Sequence, residues 1–247
     1  MRMDFLNTRV DNLTMEEALV KTQKLIEENK TAYVVTPNVD HIVVMEKDEE
    51  FSKLYREADL ILTDGKPLIW ISKLYGTPIK EKISGSDFFP ELCGLATEKG
   101  YSIFILGAAE GVAAKAAENL QRKYPGLQIA GTYSPPFAFE ENAEELQKIE
   151  TMIRAAKPTI LAVSLGSPKG EKFIYRHKNA YGVPLSISIG ATIDFEAGNV
   201  KRAPKWMSDH GLEWLYRMTK EPKRLAKRYV VDAVEILPIA WKYRKGK

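Results

Sequence analysis

The sequence of 247 residues contains a single cysteine, Cys93, so no disulfide can form within the chain. Small numbers of cysteines are typical of proteins from reducing compartments, and a cytoplasmic location is therefore expected. No basic residue flanks Cys93 in the segment Glu91-Leu92-Cys93-Gly94-Leu95, which has the pattern of a buried helix face. We expect an inert thiol in the core rather than a nucleophile.

Long apolar runs are also missing. The best candidate for a membrane span, Tyr229 to Trp241, is interrupted by Asp232, Glu235 and Pro238, whereas a spanning helix needs about 20 apolar residues. The first four residues, Met1-Arg2-Met3-Asp4, contain no apolar run, so no secretory signal is expected. The sequence predicts a protein that does not cross a membrane, and it leaves binding to a membrane surface open.

Metal-binding and complete nucleotide-binding motifs are absent as well. No histidines and cysteines are spaced as zinc ligands, and no Asp-x-Asp is present to hold a divalent ion on a nucleotide diphosphate. There is neither a Walker motif nor a complete G-x-G-x-x-G. We therefore expect no metal site and no cofactor.

What the chain does contain is a regular alternation of short apolar runs and helical patterns. We predict strands at Ala32 to Thr36, Leu60 to Thr63, Tyr101 to Leu106, Leu127 to Tyr133, Thr159 to Leu165 and Pro184 to Ile189. Helical patterns fill the gaps between them. This order predicts an α/β fold, a Rossmann-like and mostly parallel sheet with helices on both faces, in which ligands bind beyond the carboxyl ends of the strands.

The pattern and the charge both change near residue 201. Residues 201–247 hold 13 Lys and Arg against 5 Asp and Glu, a net charge of +8, whereas residues 1–200 hold 23 against 28, a net charge of −5. Three of the four tryptophans, Trp206, Trp214 and Trp241, also lie in this segment. We predict a domain over 1–200 and a helical appendage over 201–247, with helices at about 206–220 and 223–245.

The appendage has the composition of a surface that binds an anionic partner. One alternative is a non-catalytic RNA-binding protein that uses the basic residues. The tryptophans and apolar residues between the charges suit a lipid interface better than a track of phosphates. We therefore expect contact with an anionic membrane surface and no nucleic-acid partner.

Two predicted strands end in polar residues that could act on a ligand. Asp64 directly follows the strand at Leu60 to Thr63, where partial burial would suit a general base; a turn aspartate before Gly65 is the alternative. Asn38 ends the segment Thr36-Pro37-Asn38 and could bind a sugar hydroxyl or cap the next helix. His41 follows closely, but no serine or cysteine pairs with it, and we do not assign it to the site.

Two further strand ends are rich in glycine. Gly107-Ala108-Ala109 and Gly166-Ser167-Pro168-Lys169 each join a predicted strand to a helix. Free N–H groups at a helix N-terminus bind phosphate, so these loops are candidates for a nucleotide diphosphate. A plain tight turn explains them equally well.

Eight short strings, taken together, resemble the WecG/TagA/CpsF family of glycosyltransferases. They keep the family's order and spacing and extend over nearly the whole chain. They are Thr36-Pro37-Asn38, Thr63-Asp64-Gly65, Ser84-Gly85-Ser86-Asp87, Leu106-Gly107-Ala108, Gly131-Thr132-Tyr133-Ser134-Pro135-Pro136-Phe137, Leu165-Gly166-Ser167-Pro168-Lys169, Lys201-Arg202-Ala203-Pro204 and Gly211-Leu212-Glu213-Trp214-Leu215-Tyr216-Arg217.

The resemblance implies roles for particular residues. Asp64 matches the family's proposed catalytic aspartate, Thr36 and Asn38 match residues thought to contact the sugar, and Arg217 and Arg224 match tail arginines proposed to reach the diphosphate. The other positions carried over as substrate-binding are Lys82, Gly85, Asp87, Gly107, Ala108, Gly166, Pro168, Lys169, Glu171, Lys227 and Arg228.

Three positions depart from the family's usual pattern. Gly170 stands where glutamine is common, Lys82 where arginine is often found, and Lys227, with Arg228 beside it, where a third tail arginine is often found. Pocket amides and arginines discriminate between sugars, so these changes leave the donor sugar open.

The resemblance implies an inverting, metal-independent transfer of N-acetylmannosamine from a UDP donor to undecaprenyl-diphosphate-linked N-acetylglucosamine. The product would serve teichoic acid or surface polysaccharide synthesis, and the enzyme would lie on the inner face of the cell membrane. An exopolysaccharide glycosyltransferase with UDP-glucose or UDP-N-acetylmannosaminuronate as donor is one alternative, and a nucleotide-sugar oxidoreductase is another. A homo-oligomer is left open.

Overall fold

A computed structural model describes residues 1–244, except for the side chains of Lys205, Asp209 and Arg224. The strands are β1 (Arg2–Phe5), β2 (Thr8–Asp11), β3 (Ala32–Val35), β4 (Leu60–Ile61), β5 (Ser102–Gly107), β6 (Gln128–Tyr133), β7 (Ile160–Ser164) and β8 (Leu185–Ser188). The helices of the first 200 residues are α1 (Met15–Glu28), α2 (Val39–Met45), α3 (Glu49–Arg56), α4 (Lys66–Leu74), α5 (Gly85–Lys99), α6 (Val112–Lys123), α7 (Ala143–Ala156), α8 (Lys169–Tyr181) and α9 (Thr192–Glu196).

Strands β3 to β8 form one parallel sheet in the described chain, in the order β4-β3-β8-β7-β5-β6. Residues of β3, β7 and β8 are buried throughout, as expected for strands covered on both faces. The predicted α/β Rossmann-like fold is confirmed. The antiparallel hairpin of β1 and β2, which precedes this sheet, was not predicted.

Two hydrophobic clusters cover the two faces of the sheet, because alternate residues of each strand point to opposite sides. Tyr33 and Val35 belong to a cluster that includes residues of α2, α3, α7 and α8. Ala32 and Val34 belong to the other, with residues of α1, α5, α6 and α9. The helices therefore lie on both faces, and the carboxyl ends of the strands remain free for ligands.

Beyond residue 200 the structure has α10 (Lys205–Asp209), α11 (Glu213–Lys220) and α12 (Pro222–Arg244). The helix predicted over 206–220 is thus two helices, which are separated at Gly211, where φ is +74°. Helix α12 buries Ile236 and Ile239 in the same cluster as α2. Among the described helices, none has both the length and the apolar character needed to cross a membrane.

Candidate active site

A cavity of about 620 Å³ opens at the carboxyl ends of β3, β4, β7 and β8. The loops after these strands form its floor, and α11 and α12 form part of its wall. The structure brings together nine of the predicted site residues in its lining: Thr36, Asn38, Asp64, Lys82, Gly85, Gly166, Glu171, Arg217 and Arg228. Sequence positions far apart in the chain therefore meet in one place.

Asp64 lies in the floor, just after β4. Its backbone N–H donates to the Pro37 carbonyl at 2.9 Å, which joins this strand end to the end of β3. Gly65 adopts a φ of +92°, which lets the chain turn at once into α4. Burial raises the pKa of Asp64 from 3.8 to about 6, and Glu213 and Asp87 add to the rise while Lys82 and His41 oppose it. A carboxylate with this pKa can accept a proton near neutral pH.

Lys82 is held beside the floor by Asp87 in the first turn of α5. Its Nζ lies 2.5 Å from Asp87 Oδ2, and Ser84 Oγ donates to the same oxygen at 2.6 Å. Arg202, from the segment after the sheet, donates to Asp87 Oδ1 at 2.6 Å. Burial alone would raise the pKa of Asp87, but these partners outweigh it and lower that pKa to about 2. Asp87 therefore carries a negative charge that holds Lys82, which lines the cavity, and also Arg202.

Asn38 caps α2, and its side-chain oxygen accepts the His41 backbone N–H at 3.3 Å. Both readings of this residue, a helix cap and a pocket residue, are therefore compatible with its position. Thr36 lies beside it, and its Oγ1 would be 3.5 Å from a Cβ atom added to Gly85. The absence of a side chain at Gly85 thus leaves room at the floor.

His41 and Glu171 form a buried pair; Glu171 was carried over from the resemblance, but its pairing with His41 was not predicted. His41 Nε2 lies 3.5 Å from Glu171 Oε1, and both residues line the cavity. The second oxygen, Glu171 Oε2, is buried without a hydrogen-bond partner among the described residues. A histidine and a glutamate on separate helices give no local sequence signal, because only the packing of α8 against α3 and the adjacent α2 brings them together.

Helices α11 and α12 add charged side chains to the wall. Arg217 comes from α11, and Arg228 and Asp232 come from α12. Arg228 lies 3.9 Å from Asp40. Burial raises the pKa of Asp232 to about 6, with Asp40 adding to the rise and Arg228 opposing it. Asp232 was noted in the sequence only as an interruption of an apolar run, yet it faces the site.

The remaining predicted residues whose side chains are described lie outside the cavity lining. Ala108 follows Gly107 at the end of β5, where its N–H donates to the Ser164 carbonyl at 2.8 Å. Pro168 precedes α8, and Lys169 pairs with Glu140. Lys227 is exposed on α12. Asp87 acts on the cavity through Lys82, and the side chain of Arg224 lies outside the described residues.

Gly211 sets the distance between the turn that joins α10 to α11 and the first turn of α4. A Cβ atom at this position would lie 2.9 Å from both Cβ and Cγ of Lys66, in the first turn of α4. The turn between α10 and α11 can approach this closely only because Gly211 has no side chain. This contact lies next to Asp64 in the chain and helps to close the cavity.

Among residues 1–244, as far as their side chains are described, no group of three or more His, Cys, Asp or Glu is arranged to hold a metal ion.

Comparison with known proteins gives consistent results. The sequence model of the family described as Glycosyl transferase WecG/TagA/CpsF matches residues 3–247. An N-acetylglucosaminyldiphosphoundecaprenol N-acetyl-beta-D-mannosaminyltransferase of Bacillus spizizenii is 33% identical over 199 residues, which are 81% of this chain and 75% of that protein. Proteins of the same name are 32% identical over 199 residues in Bacillus subtilis and 26% identical over 228 residues, 92% of this chain and 87% of that protein, in Staphylococcus aureus. The chain therefore belongs to the WecG/TagA/CpsF family of glycosyltransferases.

Proposed function

We propose that this enzyme transfers N-acetylmannosamine from a UDP donor to undecaprenyl-diphosphate-linked N-acetylglucosamine, with inversion at the anomeric carbon. The observation that carries the proposal is Asp64, a carboxylate with a raised pKa in a cavity that also contains Lys82, Arg217 and Arg228. The names of the relatives support the choice of sugar and lipid acceptor. The product would be used in the synthesis of teichoic acid.

Asp64 acts as the general base in this proposal. It takes the proton of the acceptor hydroxyl while the hydroxyl oxygen attacks the anomeric carbon of the donor sugar. The bond from that carbon to the diphosphate oxygen breaks, and UDP leaves with the electron pair. A single displacement of this kind inverts the configuration and gives a β-linked disaccharide on the lipid.

The leaving diphosphate needs positive charge, and Lys82, Arg217 and Arg228 are among the basic residues that line the cavity. Lys82 is held in place by Asp87, while Arg217 and Arg228 come from α11 and α12. Arginine is suited to this task because its planar guanidinium group can donate to two phosphate oxygens at once. We infer that these side chains stabilise UDP and that the reaction needs no divalent metal.

The exposed face of α12 is the proposed contact with an anionic membrane. Val230, Val234, Leu237 and Trp241 are exposed and follow one another at i, i+4, i+7 and i+11, so they share one face. Lys227 precedes them on the same face. Basic residues contribute about 1 kcal/mol each near anionic lipid, and tryptophan prefers the interfacial region. The opposite face of α12 lines the cavity, so docking would bring the lipid acceptor to Asp64.

Helix α4 extends this surface. Trp70 and Leu74 on α4 are exposed, and the hydroxyl of Tyr75, the residue after α4, donates to the Ala240 carbonyl in α12. The ends of the two helices therefore lie side by side. In this arrangement the sheet domain and the tail both contact the inner face of the cell membrane, where the UDP donor and the lipid acceptor meet.

The transferase proposal is tested by incubating the protein with a panel of UDP-sugars and a lipid-diphosphate N-acetylglucosamine analogue. The product is then identified by its mass and by the anomeric configuration of the new bond. UDP-N-acetylmannosamine should give the β-linked disaccharide lipid, and Asp64→Asn should give almost none. Transfer from another UDP-sugar alone would overturn the choice of donor, and a product that retains configuration would overturn the mechanism.

The membrane proposal is tested by co-sedimentation with anionic vesicles. The double variant Val234→Glu and Leu237→Glu places two charges on the exposed face without touching the core, and it should bind the vesicles much more weakly than the wild type. Val20→Glu is the matched control, since Val20 is equally exposed but lies on α1, which packs on the other face of the sheet. Equal vesicle binding by the wild type, the double variant and Val20→Glu would contradict the proposed surface.

A further inference from the structure

The buried pair of His41 and Glu171 has no role in the transfer described above. The His41 ring packs against Phe51, at 6.0 Å between ring centroids, and against Tyr55, at 5.9 Å. Its two nitrogen atoms face different partners: Nδ1 lies 2.6 Å from Asn38 Oδ1, and Nε2 lies 3.5 Å from Glu171 Oε1. His41 thus connects a buried carboxylate to a residue of the cavity floor.

Both of these partners are oxygen atoms that accept hydrogen bonds. Two atoms without a hydrogen between them would repel each other at 2.6 Å, so the contact between Nδ1 and Asn38 Oδ1 requires a proton on Nδ1. The Asn38 backbone N–H also points at Nδ1, from 3.1 Å. A proton on Nδ1 satisfies the shorter contact with Oδ1 and gives up this longer one. The contact with Glu171 favours a second proton on Nε2. The geometry therefore favours a doubly protonated imidazolium.

The charges around His41 agree with this assignment. Burial alone would lower the pKa of His41, but the contact with Glu171 outweighs it, so that pKa is raised, and Asp40 and Asp64 add to the rise. The titratable groups that act on the ring come from every neighbouring element: Glu171 on α8, Asp40 on α2, Asp64 after β4, Tyr55 on α3 and Asp232 on α12. Arg228 on α12 lies 3.9 Å from Asp40. Carboxylates outnumber the one cation in this group.

The orientation of the Asn38 side chain follows from its two donors. Its Oδ1 accepts from the His41 backbone N–H at 3.3 Å and from the imidazolium Nδ1 at 2.6 Å, so the oxygen is fixed toward α2. The amide nitrogen is left for a ligand, and Asn38 lines the cavity. If the carboxamide rotated by half a turn, its oxygen would no longer accept the His41 backbone N–H and α2 would lose its side-chain cap.

We propose that His41, supported by Glu171, is a positioning residue that directs the Asn38 amide nitrogen toward an oxygen atom of the transferred sugar. This rests on the proposed function of the cavity. His41 itself does not touch the substrate in this account. Its effect on the reaction passes through Asn38. The loss of kcat/KM on replacing His41 should therefore depend on whether Asn38 is present.

A double-mutant cycle measures that dependence. His41→Phe keeps the ring packing but removes both N–H groups, and it should lower kcat/KM for the UDP-sugar by about ten- to a hundred-fold, the usual effect of losing a hydrogen bond to a charged group. Asn38→Ala should have a similar effect. In the double variant the two losses should not multiply, and adding His41→Phe to Asn38→Ala should change kcat/KM by less than about twofold. Multiplicative losses would overturn the proposal.

The chain offers a matched control in a second histidine pair outside the cavity. His177 Nδ1 lies 2.8 Å from Glu150 Oε1, and its ring stacks on Phe173 at 5.0 Å. His177→Phe should leave kcat/KM unchanged and should show no coupling with Asn38→Ala. Conservative variants at position 41 test which ring nitrogen matters. The side-chain amide of asparagine falls near the position of Nδ1, and that of glutamine falls near the position of Nε2. His41→Asn should retain more activity than His41→Gln, and the reverse order would contradict the role assigned to Asn38.

The protonation state can be measured without any activity. The protein has three histidines, so ¹⁵N-detected imidazole spectra are readily assigned with the His41→Phe and His177→Phe variants. Both His41 nitrogens should carry protons at neutral pH, and Glu171→Gln should lower the pH at which one is lost. A neutral His41 at pH 7 would overturn the proposal. If the wild type transfers no sugar, the proposed function fails, but these spectra still decide the state of His41.

Discussion

Replacing Asp64 by asparagine should lower activity and raise stability at the same time. The pKa of Asp64 is raised from 3.8 to about 6, and a shift of about two units corresponds to about 3 kcal/mol of unfavourable charge burial. Because the cavity is open to solvent, we expect about 1 to 2 kcal/mol of this in the free energy of unfolding. For a chain of this size the melting temperature at pH 8 should rise by about 3 to 6 °C.

The sign of the pH dependence follows from the direction of the shift. A carboxyl group whose folded pKa is raised contributes full stability below its unfolded pKa, and this contribution is lost as the pH rises through the folded pKa. The melting curves of the wild type and Asp64→Asn should therefore coincide below about pH 4 and separate between about pH 4 and 6. Thermal unfolding measured across this range tests the expected separation.

The activity of the same variant provides the second half of the test. Loss of a general base lowers the rate by about 10²- to 10⁴-fold, and the wild-type kcat/KM should fall below about pH 6 as Asp64 takes up a proton. If Asp64→Asn keeps more than about half of the wild-type kcat, Asp64 is not the base. If the variant is inactive but no more stable than the wild type at pH 8, the explanation of its pKa by burial is wrong.

Other perturbations have equally definite outcomes. Asp87→Asn should destabilise the fold by about 1 to 2 kcal/mol at pH 7, because the pKa of Asp87 is lowered to about 2, and thermal unfolding should show the difference from the wild type shrinking as the pH falls from about 4 toward 2. Arg217→Ala should lower kcat by about 10²-fold with an unchanged melting temperature, while Arg154→Ala on α7 should not, and equal rates would remove Arg217 from the site. Dialysis against EDTA should leave the transfer rate unchanged, and a loss that Mg²⁺ or Mn²⁺ restores would refute a metal-independent reaction.

Much of the fold follows from short apolar runs in the sequence. The six predicted strands match β3 to β8. In β3, β4, β7 and β8 every residue is buried, and short apolar runs buried on both faces have few other structures available. The tail was harder to predict. A continuous helical pattern covers 206–220, but Gly211 interrupts it, and the reason lies in the contact with Lys66, which no local pattern contains.

Local patterns predicted the site only at the strand ends, whereas the family resemblance supplied Lys82, Gly85, Glu171, Arg217 and Arg228. Asp64, Thr36 and Asn38 follow strands directly, and strand ends in a parallel sheet meet at one edge, so their convergence could be expected. His41 and Glu171 lie on helices far apart in the chain, and Asp232 lies within an apolar run. Their position at the cavity depends on how α2, α8 and α12 pack, which is decided by side chains throughout the core.

The packing of α12 also limits how the tail can be studied. Ile236 and Ile239 are buried in one cluster with residues of α2, and removing residues from 201 onward would expose the apolar surface that they cover. A loss of activity in such a truncated protein would have two explanations. Substitutions on the exposed face of α12 separate docking from folding and are the better probe.

The contact at Gly211 has a consequence for how this enzyme can vary. Because Gly211 has no side chain, the turn between α10 and α11 contacts Lys66 directly, and both residues line the cavity. Alanine at this position would push the turn between α10 and α11 away from Lys66 and move Trp214 and Arg217 outward with it. Position 211 is therefore a point at which one small substitution could enlarge the entrance to admit a bulkier sugar or acceptor, while the chemistry at Asp64 stays in place.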